Sequence, residues 1–495
     1  MNKAIRETLA AVFLWLVLAA QVGAGEAHFD VPFYTGTILP TPQQAQYADE
    51  FVPLGRVGIV LGKGLAKNDP RLVFLVERLS RCGSVVQFVE SSSRTCDSFV
   101  VIGEDTEGVP EKPEAYLLTT AAKAQTPAFI LKARDRLGLL WAITSFNQLV
   151  TQRDGRPVAR KAKVLDWPDA PGKRAFTAMA DDESLKLTWL AIHLCRPNVV
   201  VYRISSALRG RKGSAWRNEQ TLDEWKQRLP KIAALLNPLG VEWYESFRCI
   251  TTDPATTIRS KSDKDFQIVL RVAEPLAAAG GNLCLLYDDI RFPISADDKH
   301  DFGTAREADI FFLNKLYAAV AVKHPHFKIL FCPPFYWGPA SNSSGVYGES
   351  RDEYLAALGH RLPKGIHIYW TGPRVKSGKV TPEDLRWITG LIQRKPVFWQ
   401  NAFGVMHGGE YYHYPTDPIP AWRNWYDAAF LDGLEFFTLN NRSPIVNMTL
   451  TDFLWNHRAY DPTQSVVEAG KKLVGPNVYP KLVEVCRALE DLDIY

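Results

Sequence analysis

Apolar positions recur along this chain in two regimes. From residue 26 to about 168 the short runs "VGIVLG" (57–62), "VVQFVE" (85–90), "SFVVIGE" (98–104) and "PAFILKAR" (127–134) predict strands. "GLLWAITSFNQLVTQ" (138–152) carries its apolar residues at Leu139, Ile143, Phe146 and Leu149/Val150, the spacing of an amphipathic helix. Together these predict a small α/β domain. "DWPDAPGKR" (166–174), rich in Pro, Gly and charge, marks its end.

Beyond it the pattern becomes a repeat. "RAFTAM" (174–179), "NVVVY" (198–202), "VEWYESF" (241–247), "LCLLY" (283–287), "KILFC" (328–332), "IHIYW" (366–370), "PVFWQ" (396–400) and "GLEFF" (433–437) are short, nearly continuous apolar runs. Between most of them lie helix-like segments such as "ADIFFLNKLYAAVAVKH". Apolar strands alternating with helices predict a parallel sheet buried on both faces. The run count and the span from 169 to 460 predict a (β/α)8, TIM-like barrel. An open doubly wound sheet would want a Gly-rich phosphate turn after its first strand, and that turn is missing. The expected class is therefore α/β, with a small α/β domain, a barrel, and a helical tail over 461–495.

The N-terminus adds a destination. Lys3 and Arg6 precede the apolar run Leu9 to Ala20, and small residues follow at Val22-Gly23-Ala24. This is the pattern of a signal peptide over residues 1–25, too short to span a bilayer comfortably. The expected product is exported, periplasmic or secreted, with no stable membrane insertion. Net charge is +4 with no long basic run, so nucleic acid is not an expected partner. The 7 cysteines fit no metal spacing, and no metal or cofactor is expected; Cys82 and Cys96 could pair in an oxidising compartment. The 14 tryptophans suit either a Trp-rich core or a cleft for flat sugar faces.

Catalysis in such barrels sits at the C-terminal ends of the strands. The fourth run ends in Asp288-Asp289, the fifth leads to Tyr336 and Trp337, and the sixth to Trp370 and Thr371. The seventh ends at Trp399 and Asn401, and the eighth at Asn440 and Asn441. Singly, these are ordinary turn and core residues. Their succession on one rim, as carboxylates, amides, a phenol and indoles, suits a pyranose. Asp297-Asp298 and Asp181-Asp182 read as loop charge, and His324 and His326 as a surface loop.

These residues resemble glycoside hydrolase family 84, the retaining β-N-acetylglucosaminidases that include O-GlcNAc hydrolases and bacterial enzymes once called hyaluronidases. "ILPTPQQ" (38–44) and "ARDRLGLLWAITSFNQLV" (133–150) look like the start and end of the α/β domain that precedes such barrels. "SAWRNE", "LLYDDI", "FCPPFY", "YWTGPRV", "FWQNAF" and "DFLWNHRAYDP" fall in the family's order. The resemblance implies substrate-assisted hydrolysis, in which the sugar's 2-acetamido oxygen attacks C1. Asp288 would orient the acetamido N–H, and Asp289 would act as general acid and then base. Tyr336, Trp399, Asn401, Asn440 and, more weakly, Thr371 match substrate-binding positions. Three elements differ from the family: "RAFTAMADDES" replaces a Phe-Tyr-Gly element, Ser205 stands at a lysine position with Arg203 nearby, and Met406 replaces an acidic residue. Two other readings compete: a two-carboxylate glycosidase on another sugar, recruiting Glu410 or Glu435 as nucleophile, and a sugar-binding barrel that has lost catalysis. An open pocket separates the last from an enzyme; one filled by Arg203 or Met406 favours loss.

Overall fold

The structure, a computed structural model, describes residues 31–491 apart from 91–94, 124–125, 180–181, 204–214, 252–256, 290–293, 341–347, 402–415 and 440–442. Residues 1–25, Asp181, Ser205, Met406, Glu410, Asn440 and Asn441 thus lie outside the described residues.

The first layer is a mixed sheet of β1 (Gln44–Pro53), β2 (Arg56–Leu61), β3 (Val85–Phe88), β4 (Ser98–Gly103), β5 (Tyr116–Lys123), β6 (Thr126–Ala133), β7 (Val150–Arg153) and β8 (Arg156–Asp166). Its order is β1-β8-β5-β6-β4-β2-β3, with β7 paired to β8. The four strands expected from apolar runs are β2, β3, β4 and β6, and they form its parallel half. The antiparallel half escaped the apolar criterion for a physical reason. A half-solvated strand carries polar residues on one face, and β1, "QAQYADEFVP", is largely exposed.

The helix expected over 138–152 runs from Arg136 to Leu149, started by the Asp135 carboxylate, which accepts from the Gly138 amide at 2.8 Å. Val150 already belongs to β7. Every residue from Gly138 to Leu149 is buried, not just one stripe. The helix lies against β5 and β6 on one side, and on the other Trp141 meets Trp455 edge-on at 6.5 Å.

The barrel consists of β9 (Arg174–Met179), β10 (Val199–Arg203), β11 (Glu242–Phe247), β12 (Asn282–Leu286), β13 (Ile329–Cys332), β14 (Ile366–Trp370), β15 (Val397–Gln400) and β16 (Phe437–Leu439), closed by β16 pairing with β9. Seven strands fall on the expected runs. The eighth is displaced: "GLEFF" mostly precedes β16, and the chain enters it through an irregular turn whose Asp432 and Leu434 carbonyls accept from the Lys173 ammonium. The tail forms helices Pro462–Val474 and Tyr479–Asp491. The first packs on helix Pro444–Trp455 of the barrel.

Buried charge joins the two layers. The Glu114 carboxylate pairs with Arg174 at the start of β9 and accepts from Trp141 Nε1 and the Gly172 amide, each at 2.8 Å. Asp166, at the end of β8, accepts from Tyr116 Oη at 2.6 Å and Trp455 Nε1 at 2.9 Å, with Arg196 3.5 Å away. Two sequence expectations are corrected. Cys82 and Cys96 are free thiols in separate apolar clusters, Cys82 donating to the Thr151 carbonyl. Asp298 is not loop charge: it sits in the first turn of helix Ala296–Phe302, buried, and accepts from both the amide and the hydroxyl of Ser260.

Candidate active site

Successive residues of a strand point to opposite faces, which sets the site. On β12, Cys284 and Leu286 belong to the apolar cluster inside the barrel, while Tyr287 packs outward. The Tyr287 amide still pairs with the Cys332 carbonyl at 2.9 Å, so the strand is held to its last residue. Continuing the alternation places Asp288 over the barrel's interior, at its C-terminal mouth. Asp289 follows at the exposed lip.

The two carboxylates have different partners. One Nη of Arg248, just past the end of β11, spans both Asp288 oxygens at 3.0 and 2.8 Å. The Tyr336 hydroxyl, from the segment after β13, donates to Asp289 Oδ1 at 2.9 Å. Burial pushes the Asp288 carboxyl above its ordinary range; Arg248 pulls it back and neighbouring Asp289 pushes it further up. Burial and Asp289 together raise the Tyr336 phenol well above its usual value, so it stays a proton donor.

Of the remaining expected residues, Thr371 directly follows β14, Trp399 lies in β15 and Asn401 directly follows it, while Asn440 lies outside the described residues. Trp399 lies tilted at 45° against Tyr369, ring centres 4.9 Å apart, and its buried indole N–H has no hydrogen-bond partner among the described residues. Asn401 donates to the Val375 carbonyl at 3.2 Å. Thr371 is 1% exposed; its amide donates to the Tyr336 carbonyl at 2.8 Å and its hydroxyl reaches the Arg374 carbonyl at 2.8 Å. It braces the segments after β13 and β14 against each other, and Trp370 Nε1 to the Gly338 carbonyl at 3.1 Å is a second tie between them. Arg203 ends β10 and is half-buried.

Glu435 lies elsewhere. It precedes β16, its amide pairs with the Pro396 carbonyl before β15, and its carboxylate stands 3.9 Å from His367 near the start of β14. Strand starts define the N-terminal mouth, so Glu435 is on the opposite end of the barrel from Asp288. Sequence reasoning passed over Arg248. Its signal was a basic residue directly following the apolar run "VEWYESF", at the one strand end between Arg203 and Asp288.

Comparison with known proteins follows the same division of the chain. The family described as glycosyl hydrolase family 20, domain 2, matches residues 35–167. The beta-N-acetylglucosaminidase family matches residues 214–406, which include the paired aspartates. Over those residues the chain is similar to the beta-N-acetylglucosaminidases. Protein O-GlcNAcase of Rattus norvegicus is 27% identical over 197 residues, and that of Mus musculus likewise. The match covers 40% of this chain but only 20% of those relatives, so the chain spans about a fifth of their length. Among solved structures, CpGH84B aligns over 90% of this chain and 75% of its own at a TM-score of 0.65 and 19% identity. CpGH84D aligns over 93% and 74% at 0.63 and 15%. At those identities the likeness establishes the shared fold.

Proposed function

We propose that this chain is an exported, retaining β-N-acetylglucosaminidase of the family 84 type whose substrate supplies its own nucleophile. The observation that carries the reading is the Asp288–Asp289 pair at the C-terminal mouth, one carboxylate on a guanidinium and the other on a phenol. Two adjacent carboxylates in unlike surroundings divide acid and base work between them.

In this mechanism the 2-acetamido oxygen attacks C1 and the C1–O bond to the leaving group breaks. Asp289 gives its proton to the departing oxygen. Asp288 accepts the acetamido N–H and stabilises the positive charge that develops as the oxazoline ring closes. Asp289, now a carboxylate, takes a proton from water as the water attacks C1 and reopens the ring. Configuration is retained after two inversions, and no enzyme nucleophile is consumed. The curated relatives carry the name O-GlcNAcase, which motivates N-acetylglucosamine as the sugar.

The position of Glu435 weighs against the two-carboxylate alternative, because a nucleophile must reach C1 from the same mouth as the acid. Glu410 lies outside the described residues. Export rests on the run Leu9 to Ala20 with Lys3 and Arg6 before it. No helix among the described residues is long and apolar enough to cross a membrane.

The test is a panel of aryl β-glycosides of glucose, N-acetylglucosamine and N-acetylgalactosamine, with a thiazoline that mimics the oxazoline. Cleavage confined to the acetamido sugars, with thiazoline inhibition, is the expected result. Efficient cleavage of the plain glucoside without that inhibition would remove the substrate-assisted mechanism. Binding of the sugars without turnover would make this a sugar-binding barrel.

A further inference from the structure

Asp288 poses a physical problem that the substrate-assisted reading does not solve by itself. To accept an acetamido N–H it must be ionised. Yet its side chain is only 12% exposed and it neighbours a second carboxylate. Both circumstances favour the protonated form. The groups facing it among the described residues are Cys284 of β12, Cys332 of β13, Tyr336 after β13, Asp289, and Arg248 after β11. Burial raises both thiols far above neutrality, and the phenol is raised too, so none of the three is a counter-charge. Arg248 is the cation in contact.

We propose that Arg248 is a positioning residue for the reaction: its guanidinium clamps Asp288 as a carboxylate, fixed in rotation, with its remaining lone pairs turned to the cleft. The inference rests on the mechanism proposed above and adds a residue to it. The geometry is specific. One Nη touches both oxygens, at 3.0 and 2.8 Å, which occupies one lone-pair direction on each. A carboxylate offers about four such directions, so acceptors remain for the acetamido N–H. Arg248 is the right chemical type, since a guanidinium keeps its charge when half-buried and presents a rigid plane. Its side chain is 29% exposed, which places it at the rim of the site and not within the packed core.

The experiment compares wild type, R248K, R248M and R248Q in two measurements. The first is the pH profile of kcat/KM on an aryl β-N-acetylglucosaminide. An opposite charge in contact lowers a carboxyl pKa by about 1–3 units, so the acid limb of R248M and R248Q should move up by that much. Activity should recover toward wild type at higher pH, and kcat should fall more than KM rises. R248K should keep its limb near the wild-type position. R248Q retains the stem and a donor, and serves if R248M does not fold. The second measurement needs no substrate: NMR titration of 13Cγ-labelled aspartate, with D288N assigning the Asp288 signal. Its midpoint should rise in the neutral variants. A uniform loss at every pH with an unmoved limb, or an unmoved Asp288 midpoint, overturns the clamp. If wild type cleaves none of the sugars, the proposed mechanism falls while the titration still decides the clamp.

Discussion

The hydroxyl of Tyr336, a residue only 8% exposed, donates to Oδ1 of Asp289 across 2.9 Å. The phenol is held by its own backbone: the Tyr336 carbonyl accepts from the Thr371 amide at 2.8 Å. A hydrogen bond to a charged group is worth about 1.5–3 kcal/mol. Tyr336→Phe should therefore lower kcat/KM by roughly 10- to 100-fold, mostly in kcat, with little change in folding. Steady-state kinetics and a thermal melt measure both. An unchanged kcat would show that the phenol only packs.

Asp289→Asn removes the proposed proton donor. Turnover of substrates with poor leaving groups should fall about 10²–10⁴-fold. Aryl leaving groups that depart without protonation should be much less affected. Plotting rate against leaving-group pKa for wild type, D289N and D288N reads the assignment directly. If the steeper dependence appears in D288N, the two aspartates exchange roles.

The barrel was legible in the sequence because parallel strands buried on both faces are short apolar runs, and seven of them stand where those runs do. The antiparallel half of the first sheet was not, since β1 is largely exposed and β8 interleaves polar with apolar residues. The rim was half legible. Asp288, Asp289 and Tyr336 announce themselves as polar residues after apolar strands, and the structure joins Tyr336 to Asp289. Arg248 follows the same rule, but its value lies in reaching Asp288 from a neighbouring strand. That contact depends on strand adjacency around a closed barrel, which local sequence does not encode. The buried pairs Glu114–Arg174 and Asp166–Arg196 were invisible for the same reason: their partners are set by how two layers dock.

That docking supplies the next expectation. Glu114 and Arg174 are both nearly inaccessible, at side-chain exposures of 4% and 2%. Glu114→Gln leaves the guanidinium buried without its counter-charge, and breaking such a pair from one side costs about 3–5 kcal/mol. Replacing both, as in E114L with R174M, should cost much less. Denaturant unfolding of the two singles and the double gives the coupling, and additive losses would mean that the pair does not hold the layers together.

Lys472 leads to the last prediction. It sits in tail helix Pro462–Val474 at 2% exposure, and its ammonium has no hydrogen-bond partner among the described residues. The groups acting on it are Glu468 on its own helix, Arg78 of helix Arg71–Cys82, Arg196, His193 of helix Asp182–Cys195, and the Tyr34 ring 5.4 Å away. Burial first, then Arg78 and Arg196, pull Lys472 down to about 8 from 10.5. The unfolded chain therefore binds the extra proton between those values, and stability rises with pH across that window. At neutral pH the folded state bears the full cost of a buried charge, ~3 kcal/mol at 1.36 kcal/mol per unit. His193 acts in the acid range: burial lowers it to about 3 from 6.5, so stability is lost as pH falls through that interval. Lys472→Met should raise the unfolding midpoint at pH 7 and flatten the rise between pH 8 and 10.5, leaving the acid limb in place. His193→Phe should soften the acid limb alone. Chemical denaturation of the three proteins from pH 4 to 10.5 measures both slopes, and a K472M protein less stable than wild type at pH 7 would show that the ammonium is well paired.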